Sequence, residues 1–301
     1  MVENVTVLPP LPKRAPDANK GDCGRVLIVA GSRGMTGAPC LAARGACRGG
    51  AGLVRVLVPE TIYGIVAAKL LDECLVSGLK KDSGGCFSRI AFPALAAQCE
   101  WADVVVMGPG MSQAEQTAGL IRRVVEEIDK PLVLDADGLN AFAGESLKFL
   151  QAAQRKWSGR MLVMTPHPGE MARLLGGSPR DIQANRAGAA LKLAQSVGAV
   201  AVLKGAGTLV CDGRRMYQNT TGNSGMAKGG TGDVLTGLIG ALMGQGLIPF
   251  DAACLGVHLH GSAGDLAAKR LGVWSMLAGD LAEELPNAFL DFEERQTAMP
   301  F

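Results

Sequence analysis

Short apolar runs alternate with longer amphipathic or alanine-rich segments along most of the chain. The clearest runs occupy residues 26–30, 53–58, 104–107, 131–134, 161–164 and 200–203. Strands that are buried on both faces of a parallel sheet are continuous in hydrophobic residues in this way. The segments between them are typical of helices, at residues 38–50, 61–71, 94–102, 117–128, 145–157 and 178–197. Because strand and helix alternate repeatedly, the sequence predicts a three-layer α/β/α sandwich with a mostly parallel central sheet.

The same alternation continues in the second half of the chain. The pair Asp212-Gly213 favours a tight turn and predicts a hairpin at 209–217. Further elements are a short strand at 73–77 and two helices near 232–244 and 251–270. After Gly272 the sequence predicts only a short polar helix and a tail.

The chain contains no Pro/Ser-rich linker, repeat or low-complexity block. We therefore expect one domain over residues 1–301, with an N-terminal extension at 1–20 and a C-terminal tail at 273–301. Hydrophobic residues make up 48% of the chain but aromatic residues only 4%. A large core must then be built from small aliphatic side chains that pack closely, as in layered α/β proteins.

Charge and cysteine spacing exclude several classes of protein. A formal net charge of +2, with dispersed Lys and Arg, does not fit a nucleic-acid-binding or polybasic membrane surface. The most apolar window, 234–247, is shorter than the roughly 20 residues that span a bilayer. Residues 1–20 lack the apolar core of a signal peptide. The eight cysteines form no C-x-x-C pair and no zinc-like spacing, which indicates reduced, mostly buried thiols in a cytoplasmic protein.

The main candidate site is a glycine-rich stretch that runs into an apolar helix. Gly230, Thr231 and Gly232 stand directly before the apolar run, and Asp233 lies at the junction. Glycine backbone and the unpaired N–H groups of a first helical turn together form a cradle for phosphate. A carboxylate beside that cradle can take a proton from a hydroxyl during phosphoryl transfer. The alternative is that Asp233 is only a helix cap.

Other candidate residues follow predicted strands, where ligands bind in open α/β sheets. His167 lies between two prolines, and it fits either a ligand contact or a simple turn. Glu170 fits a water-mediated magnesium contact or a first-turn acid favoured by the helix dipole. Asp135, Asp137 and Asn140 follow another strand, and they indicate either a hydrogen-bonded site or an Asx turn.

Two further loops have weaker signals. Residues 31–37 read G-x-x-G-x-x-G, which is not the G-x-G-x-x-G of dinucleotide-binding folds, and the chain has no P-loop pattern. The loop 204–208, Lys-Gly-Ala-Gly-Thr, offers a lysine and open backbone amides to a nucleotide phosphate.

His258 and His260 are two residues apart on a predicted helix and cannot form a metal pair. We interpret both histidines, with Asp265, as structural.

Taken as an ordered set, these motifs resemble the ADP-dependent NAD(P)H-hydrate dehydratases, a branch of the ribokinase-like superfamily. The resemblance runs from about residue 19 to about residue 270. Its motifs are residues 31–38, 49–55, 107–111, 134–140, 165–170, 204–208 and 223–233. The resemblance implies that the fold is ribokinase-like. It also implies that ADP, or ATP, phosphorylates the 6-hydroxyl of NAD(P)H hydrate of the S epimer, and that loss of phosphate restores NAD(P)H.

The resemblance also implies residue roles. Asp233 would be the base and would contact substrate, and the residues Gly230, Thr231 and Gly232 would stabilise the moving phosphate. The nucleotide would bind at Gly232 and at Lys204, Gly205, Ala206, Gly207 and Thr208. The hydrate would lie against Ala38, Gly110 and His167, with Asp137 and Asn140 beside it. The related superfamily element N-x-x-E reads His-Pro-Gly-Glu here, which leaves Glu170 as a water-mediated Mg²⁺ contact.

Two further expectations come from the family. Many members carry an N-terminal epimerase domain, so we expect a separate NAD(P)H-hydrate epimerase as functional partner. The family also implies a homotetramer. The competing hypotheses are a ribokinase-like kinase of a small alcohol or vitamin precursor, which would stop at the phosphorylated product, and a catalytically silent nucleotide-binding protein. The motifs at 165–170 and 108–111 favour the dehydratase over the kinase, and the intact motif at 230–233 argues against the silent protein.

Overall fold

A ten-stranded sheet forms the centre of the computed structural model, which describes residues 2–144, 147–156 and 161–298. The strands are β1 (Glu3–Val5), β2 (Arg25–Val29), β3 (Leu53–Pro59), β4 (Leu75–Leu79), β5 (Val104–Met107), β6 (Leu132–Leu134), β7 (Leu162–Met164), β8 (Val200–Leu203), β9 (Leu209–Cys211) and β10 (Arg215–Gln218). Their order across the sheet is β1-β10-β9-β8-β7-β6-β5-β2-β3-β4. All neighbours are parallel except β9, which runs antiparallel to β8 and β10.

Helices connect most of these strands. They are α1 (Gly37–Arg48), α2 (Tyr63–Ala67), α3 (Phe92–Trp101), α4 (Glu115–Glu127), α5 (Asp137–Asn140), α6 (Leu147–Lys156), α7 (Pro168–Leu175), α8 (Pro179–Ala184), α9 (Arg186–Val197), α10 (Thr231–Gly244), α11 (Pro249–Leu271) and α12 (Ala278–Ala298). The predicted α/β sandwich with a mostly parallel sheet is confirmed.

The two faces of the sheet have different side chains because alternate strand residues point to opposite sides. Valines such as Val26, Val106 and Val202 face the layer of α1, α10, α11 and α12. Leucine and methionine, such as Leu27 and Met107, face the layer of α3, α4, α6, α7 and α9. The continuous apolar runs in the sequence are therefore strands buried on both faces.

Helices α1 and α10 approach so closely that side chains would not fit between them. A Cβ atom on Gly45 of α1 would overlap the carbonyl of Val234, and one on Gly237 of α10 would overlap the carbonyl of Ala42. Glycine at these positions lets the two helix backbones touch. This contact fixes α10, whose first turn carries the candidate site, against the rest of the fold.

Several predicted elements differ from the structure. The helix predicted at 61–71 is a 3₁₀ turn at 60–62 followed by the five-residue α2. The helix predicted at 178–197 is broken at Asn185, whose side chain accepts a hydrogen bond from the Gly188 N–H and caps α9. The sequence did not indicate β1, and it indicated α7 only through the alternative that Glu170 is a first-turn acid. The ends of the helix predicted at 145–157, Glu145 and Trp157, lie outside the described residues.

The prediction of a short polar helix after Gly272 is wrong. Helix α12 has 21 residues and packs on α11 and α1. Its buried side chains form a narrow stripe on an otherwise polar helix: Leu281, Ala282, Leu285, Ala288 and Phe292. These buried residues recur at helical spacing. They are few among polar residues, so the segment as a whole looks polar in the sequence.

Two expectations from composition can be compared with the structure. Among the described residues, no helix combines the length and apolarity needed to cross a membrane. All eight cysteines are described and all are free, as the sequence predicts. Four of them, Cys40, Cys99, Cys211 and Cys254, are buried, and the other four are partly exposed.

Candidate functional site

Asp135 lies at the centre of the candidate site, directly after β6. Its side chain is buried, with 1% of the residue exposed. One carboxylate oxygen, Oδ1, accepts hydrogen bonds from Lys204 Nζ at 2.6 Å and from Thr165 Oγ1 at 2.7 Å. The other, Oδ2, lies 2.8 Å from Thr236 Oγ1. The carboxylate thus joins the ends of β7 and β8 to the first turns of α10.

Lys204 follows β8 and is held between two carboxylates. Its ammonium lies 2.6 Å from Asp135 Oδ1 and 3.8 Å from Glu170 Oε2. Burial lowers the pKa of Lys204, but attraction by Asp135 and Glu170 outweighs burial, and the net pKa is raised. Lys204 is therefore a fixed positive charge at neutral pH.

His167 and Glu170 form a reciprocal cap at the start of α7. The Nδ1 atom of His167 accepts hydrogen bonds from the N–H groups of Gly169, at 3.0 Å, and Glu170, at 3.4 Å. In return, Glu170 Oε2 accepts from the His167 N–H at 2.7 Å. This is the geometry of a capping box, with imidazole in place of the usual hydroxyl. It explains how histidine can occupy the position that asparagine holds in related N-x-x-E elements.

The charge states of this cap follow from its surroundings. Burial, with the nearby cations Lys204 and Arg173, lowers the pKa of His167, so the ring is neutral at neutral pH and Nδ1 is free to accept. Burial raises the pKa of Glu170, and Lys204 opposes that shift. His167 remains half exposed, so one face of the ring can still meet a ligand.

Asp137 and Asn140 are engaged in local hydrogen bonds. Ala136 has φ +49° and ψ −116°, which turns the chain sharply so that Asp135 and Asp137 point to different partners. Asp137 Oδ2 accepts from the Ser112 N–H at 2.8 Å. Asn140 donates to Asp137 and accepts from Arg173 Nε at 2.8 Å. Both residues thus tie the loop after β5 to α7.

Ala38 and Gly110 are neighbours although 72 positions separate them in the chain. A Cβ atom on Gly110 would lie 2.9 Å from Ala38 Cβ. The two loops are joined because Ser32 Oγ donates to the Gly110 carbonyl at 2.8 Å, and the Gly31 N–H donates to the Pro109 carbonyl at 2.8 Å. These contacts bring two of the predicted substrate residues together at the ends of β2 and β5.

The loop 204–208 leaves the sheet beside Arg186. The Arg186 guanidinium donates to the Leu203 carbonyl at 3.0 Å and lies within 3.5 Å of the Gly207 carbonyl. Thr208 Oγ1 donates to the Gly205 carbonyl at 2.9 Å, which closes the loop on itself. Gly205 and Ala206 are exposed. The loop is therefore shaped by Arg186 and open to solvent at its tip.

The glycine-rich stretch before α10 has a fixed backbone conformation. Gly230 has φ +94°, in the left-handed region, and a Cβ atom there would overlap Leu41. Thr231 Oγ1 lies 3.0 Å from the carbonyls of both Met226 and Lys228. No side chain caps the helix, so the first N–H groups of α10 are not used by a capping residue.

Asp233 is half buried in the first turn of α10. Burial and the negative charge of Asp135 raise its pKa to about 7, against the attraction of Lys204. The Lys204 ammonium reaches the same turn, since it lies 3.2 Å from the position that a Cβ atom on Gly232 would take. One fixed cation, one carboxylate that titrates near neutral pH and free backbone amides thus meet at the start of α10.

The residues interpreted as structural support this loop from α11. Asp265 accepts hydrogen bonds from the Gly222 N–H and from Asn223 Nδ2, both at 2.9 Å. Asn223 Oδ1 in turn accepts from the Gly225 N–H at 2.9 Å. Asp265 therefore holds the beginning of the glycine-rich stretch.

The two histidines of α11 have different surroundings. His260 is buried, and its Nε2 lies 2.9 Å from the carbonyl of Thr231. His258 packs against Phe292 of α12, with ring centroids 5.5 Å apart. They face different partners, as expected for residues two apart on a helix.

The chemistry around Glu170 fits an indirect contact with magnesium. Both of its oxygens already have partners, His167 and Lys204. Among residues 2–144, 147–156 and 161–298, no group of three or more His, Cys, Asp or Glu side chains could hold a metal ion directly. Mg²⁺ usually keeps several waters and binds through one or two carboxylates together with substrate phosphates. Glu170 therefore fits a contact with Mg²⁺ through a bound water.

Sequence reasoning missed two residues of this site, Thr165 and Thr236. Both are fully buried and both donate to Asp135. Thr236 has a recognisable signal, since it is the one hydroxyl in the apolar run 234–243. A lone hydroxyl in a buried helix needs a partner.

The ten-stranded sheet, covered by helices on both faces, with a glycine-rich loop opening α10, defines a ribokinase-like protein. A family model described as NAD(P)H-hydrate dehydratase matches residues 26–287. The chain therefore belongs to the NAD(P)H-hydrate dehydratase family.

Individual relatives agree with this assignment. The chain is 45% identical over 288 residues to a bifunctional NAD(P)H-hydrate repair enzyme of Moorella thermoacetica, covering 94% of this chain and 52% of that protein. It is 36% identical to an ADP-dependent (S)-NAD(P)H-hydrate dehydratase of Neisseria meningitidis, covering 89% of this chain and 86% of the relative. The chain thus spans about half the length of its bifunctional relatives.

Among solved structures, the fold matches the ADP/ATP-dependent NAD(P)H-hydrate dehydratase of Bacillus subtilis, co-crystallised with ATP and Mg²⁺. The TM-score is 0.76 and the sequence identity 30%. The match covers 94% of this chain and 95% of that one.

Proposed function

We propose that this protein uses ADP to dehydrate the S epimer of NAD(P)H hydrate, restoring NAD(P)H and releasing AMP and phosphate. The observation that carries the proposal is Asp233, a half-buried carboxylate with a pKa of about 7 at an uncapped helix start. The name of the Neisseria relative gives the same reaction and the same epimer.

The reaction has two parts. The β-phosphoryl group of ADP transfers to the 6-hydroxyl of the hydrate, which leaves AMP and a phosphate ester. The lone pair of the ring nitrogen then expels phosphate, and loss of a proton from the neighbouring ring carbon completes the double bond. Phosphate is a far better leaving group than hydroxide, which is why a nucleotide is consumed.

Asp233 is the general base for the first part. It takes the proton of the 6-hydroxyl as the phosphoryl group arrives. A base works best when its pKa lies near the working pH, and burial beside Asp135 raises the pKa of Asp233 to about 7. An ordinary solvated aspartate would be ionised but a much weaker base.

The start of α10 stabilises the transferred group. Gly230, Thr231 and Gly232 form the start of α10, and no side chain caps the backbone N–H groups of its first turn. The ammonium of Lys204 lies beside the same turn and balances the negative charge that the phosphates bring. A magnesium ion on the nucleotide would neutralise phosphate charge, and Glu170 would hold it through water.

The nucleotide binds at the loop 204–208 and Gly232. Gly205 and Ala206 at the tip of this loop are exposed, and the Lys204 ammonium reaches the first turn of α10 beside Gly232. The Bacillus neighbour was co-crystallised with ATP and Mg²⁺, which supports nucleotide binding by this fold.

The hydrate binds on the side of Ala38, Gly110 and His167. A Cβ atom on Gly110 would lie 2.9 Å from Ala38 Cβ and 3.1 Å from Met35 Cβ, so glycine at this position lets the two loops meet and form one wall of the site. Asp137 and Asn140 fix the neighbouring loop through Ser112 rather than projecting free side chains. Their role is to shape this wall.

The wider setting of the reaction follows from the family. We expect an NAD(P)H-hydrate epimerase activity to act together with this one, a homotetramer and a cytoplasmic location. The preference for ADP over ATP also belongs to this proposal.

The test mixes the purified protein with Mg²⁺, hydrated NADPH and either ADP or ATP. We expect the absorbance of the reduced nicotinamide to return and, with ADP, AMP and phosphate to appear in equal amounts. Recovery with neither nucleotide would reject the proposal, and a stable phosphorylated product would favour a small-alcohol kinase. Asp233→Asn should bind nucleotide normally but lose activity by ~10²-fold or more.

A further inference from the structure

We propose that Asp135 is a positioning residue, which holds Lys204 and the first turn of α10 in register for phosphoryl transfer without touching substrate. The inference rests on the proposed function and extends it to residues whose roles the family motif does not define. Three independent contacts of one buried carboxylate carry it.

Asp135 joins three elements of the fold. Its three hydrogen-bond partners come from three elements: Thr165 after β7, Lys204 after β8 and Thr236 in α10. With 1% of the residue exposed, little of Asp135 is left for a ligand. Its effect on the reaction must therefore pass through the groups that it binds and through its charge, which acts on Asp233.

Lys204 depends on Asp135 for its position. A lysine ammonium sits on a flexible four-carbon stem, and it contributes little to transition-state binding unless it is held in place. Asp135 contacts it at 2.6 Å, whereas Glu170 lies farther away at 3.8 Å. Asp135 is thus the main anchor that keeps the ammonium beside Gly232.

Thr236 links Asp135 to the start of α10. The hydroxyl of Thr236 lies 2.8 Å from Asp135 Oδ2 and 2.9 Å from the Gly232 carbonyl. Its single proton is shared between these two acceptors, so the carboxylate and the first turn of α10 are coupled through one side chain. Gly232 belongs to the cradle proposed for the moving phosphate.

The backbone beside Asp135 supports the same conclusion. Ala136 has φ +49° and ψ −116°, a combination that residues with a Cβ rarely adopt. Such strain persists only where surrounding contacts over-determine it, and it is concentrated at functional sites. Here it allows Asp135 to enter the site while Asp137 binds Ser112 in another direction.

The experiment compares four variants of the full chain: Asp135→Asn, Thr236→Val, Thr236→Ser and Thr117→Val. Thr117 is the control, because it is also fully buried and its hydroxyl also donates a hydrogen bond, to the Phe87 carbonyl, but it lies in α4 away from the site. The kcat, the KM for ADP, the KM for the hydrate and the melting temperature are measured for each.

We expect Asp135→Asn to lower kcat by about 10²-fold and to raise the KM for ADP, because small misplacements of a phosphate-binding group have effects of that size. The KM for the hydrate should stay within about 2-fold of the wild type. Thr236→Val should lower kcat by roughly 10-fold, the size of one charge-assisted hydrogen bond. Thr236→Ser should recover most of it, and Thr117→Val should keep the wild-type kcat.

Three results would overturn the proposal. One is a folded Asp135→Asn variant with wild-type kcat. Another is equal loss in Thr236→Ser and Thr236→Val, and the third is equal loss in Thr117→Val, which would mean that any buried hydroxyl matters. If Asp135→Asn does not fold, the kcat values of Thr236→Val and Thr236→Ser test the proposal.

Failure of the proposed function gives a different result, since the wild type itself would then not restore the hydrate. In that case the variants are compared by calorimetric binding of ADP. Asp135→Asn should bind ADP more weakly because Lys204 loses its anchor. Unchanged affinity would overturn the positioning role.

Discussion

The imidazole of His260 and the carbonyl of Thr231 are 2.9 Å apart, and this contact joins the middle of α11 to the first residue of α10. Burial lowers the pKa of His260 to about 4, so the ring is neutral and its Nε2–H donates to the carbonyl. A histidine that sequence reasoning assigns to structure thus supports the helix turn that carries the candidate base, two residues before Asp233.

Replacing His260 by Phe should destabilise the protein and lower its activity together. The variant removes the hydrogen bond that His260 donates to the Thr231 carbonyl, which contributes about 0.5–1.5 kcal/mol. The free energy of unfolding from chemical denaturation and kcat under saturating substrates check this. A variant at His258 is the stability control, because that ring packs against Phe292 rather than holding the loop. Equal stability of both variants would contradict the role given to His260.

Activity should depend on pH through Asp233. Its pKa is raised to about 7, so the fraction in the basic, carboxylate form falls as the pH drops below that value. We expect kcat to fall about tenfold per pH unit on the acid side and to level off above about pH 7.5. A pH profile of single-turnover rates measures this directly. A rate that is flat down to pH ~5, or that rises toward acid, would exclude Asp233 as the base.

The positions of the site residues were predictable because parallel strands end at one edge of the sheet. Asp135, His167 and Lys204 each follow an apolar run, and the structure places them around one another. The repetition of strand and helix was enough to predict this edge. The partners within it were not predictable, since the link from Asp135 to Thr236 spans 101 positions and depends on how α10 packs.

Capping chemistry explains two of the errors in secondary structure, at α7 and at Asn185. The sequence Pro-His-Pro concealed the start of α7, because histidine is not among the usual capping residues, yet its Nδ1 accepts two backbone hydrogen bonds here. Asn185 looked like part of one long helix but caps the second of two. In both cases a side chain satisfies backbone groups that the hydrophobic pattern does not report.

The close approach of α1 and α10 predicts that a glycine-to-alanine change in α1 destabilises the protein instead of stabilising it. Replacing a helical glycine by alanine normally stabilises a helix by roughly 0.5–1 kcal/mol. In Gly45→Ala the new methyl would overlap the carbonyl of Val234, which is backbone and cannot rotate away. We expect Gly45→Ala to destabilise the protein by about 1–3 kcal/mol. Denaturant unfolding measures the change.

Gly279→Ala is the matched control for that variant. Gly279 also lies in a helix, α12, but a Cβ atom there would meet nothing within 4 Å. It should be neutral or slightly stabilising. If Gly45→Ala were as stable as Gly279→Ala, the contact between α1 and α10 would be looser than the structure has it.

Helix α12 should behave as part of the core although its sequence is mostly polar. Leu285 is fully buried against the layer of α1, α10 and α11, whereas Leu290, on the same helix, is 56% exposed. Leu285→Ala should therefore lower the free energy of unfolding by about 2–5 kcal/mol. Leu290→Ala should change it by no more than about 0.5 kcal/mol. Both changes are measured by chemical denaturation. Similar small effects at the two positions would mean that packing of α12 contributes little to the free energy of unfolding.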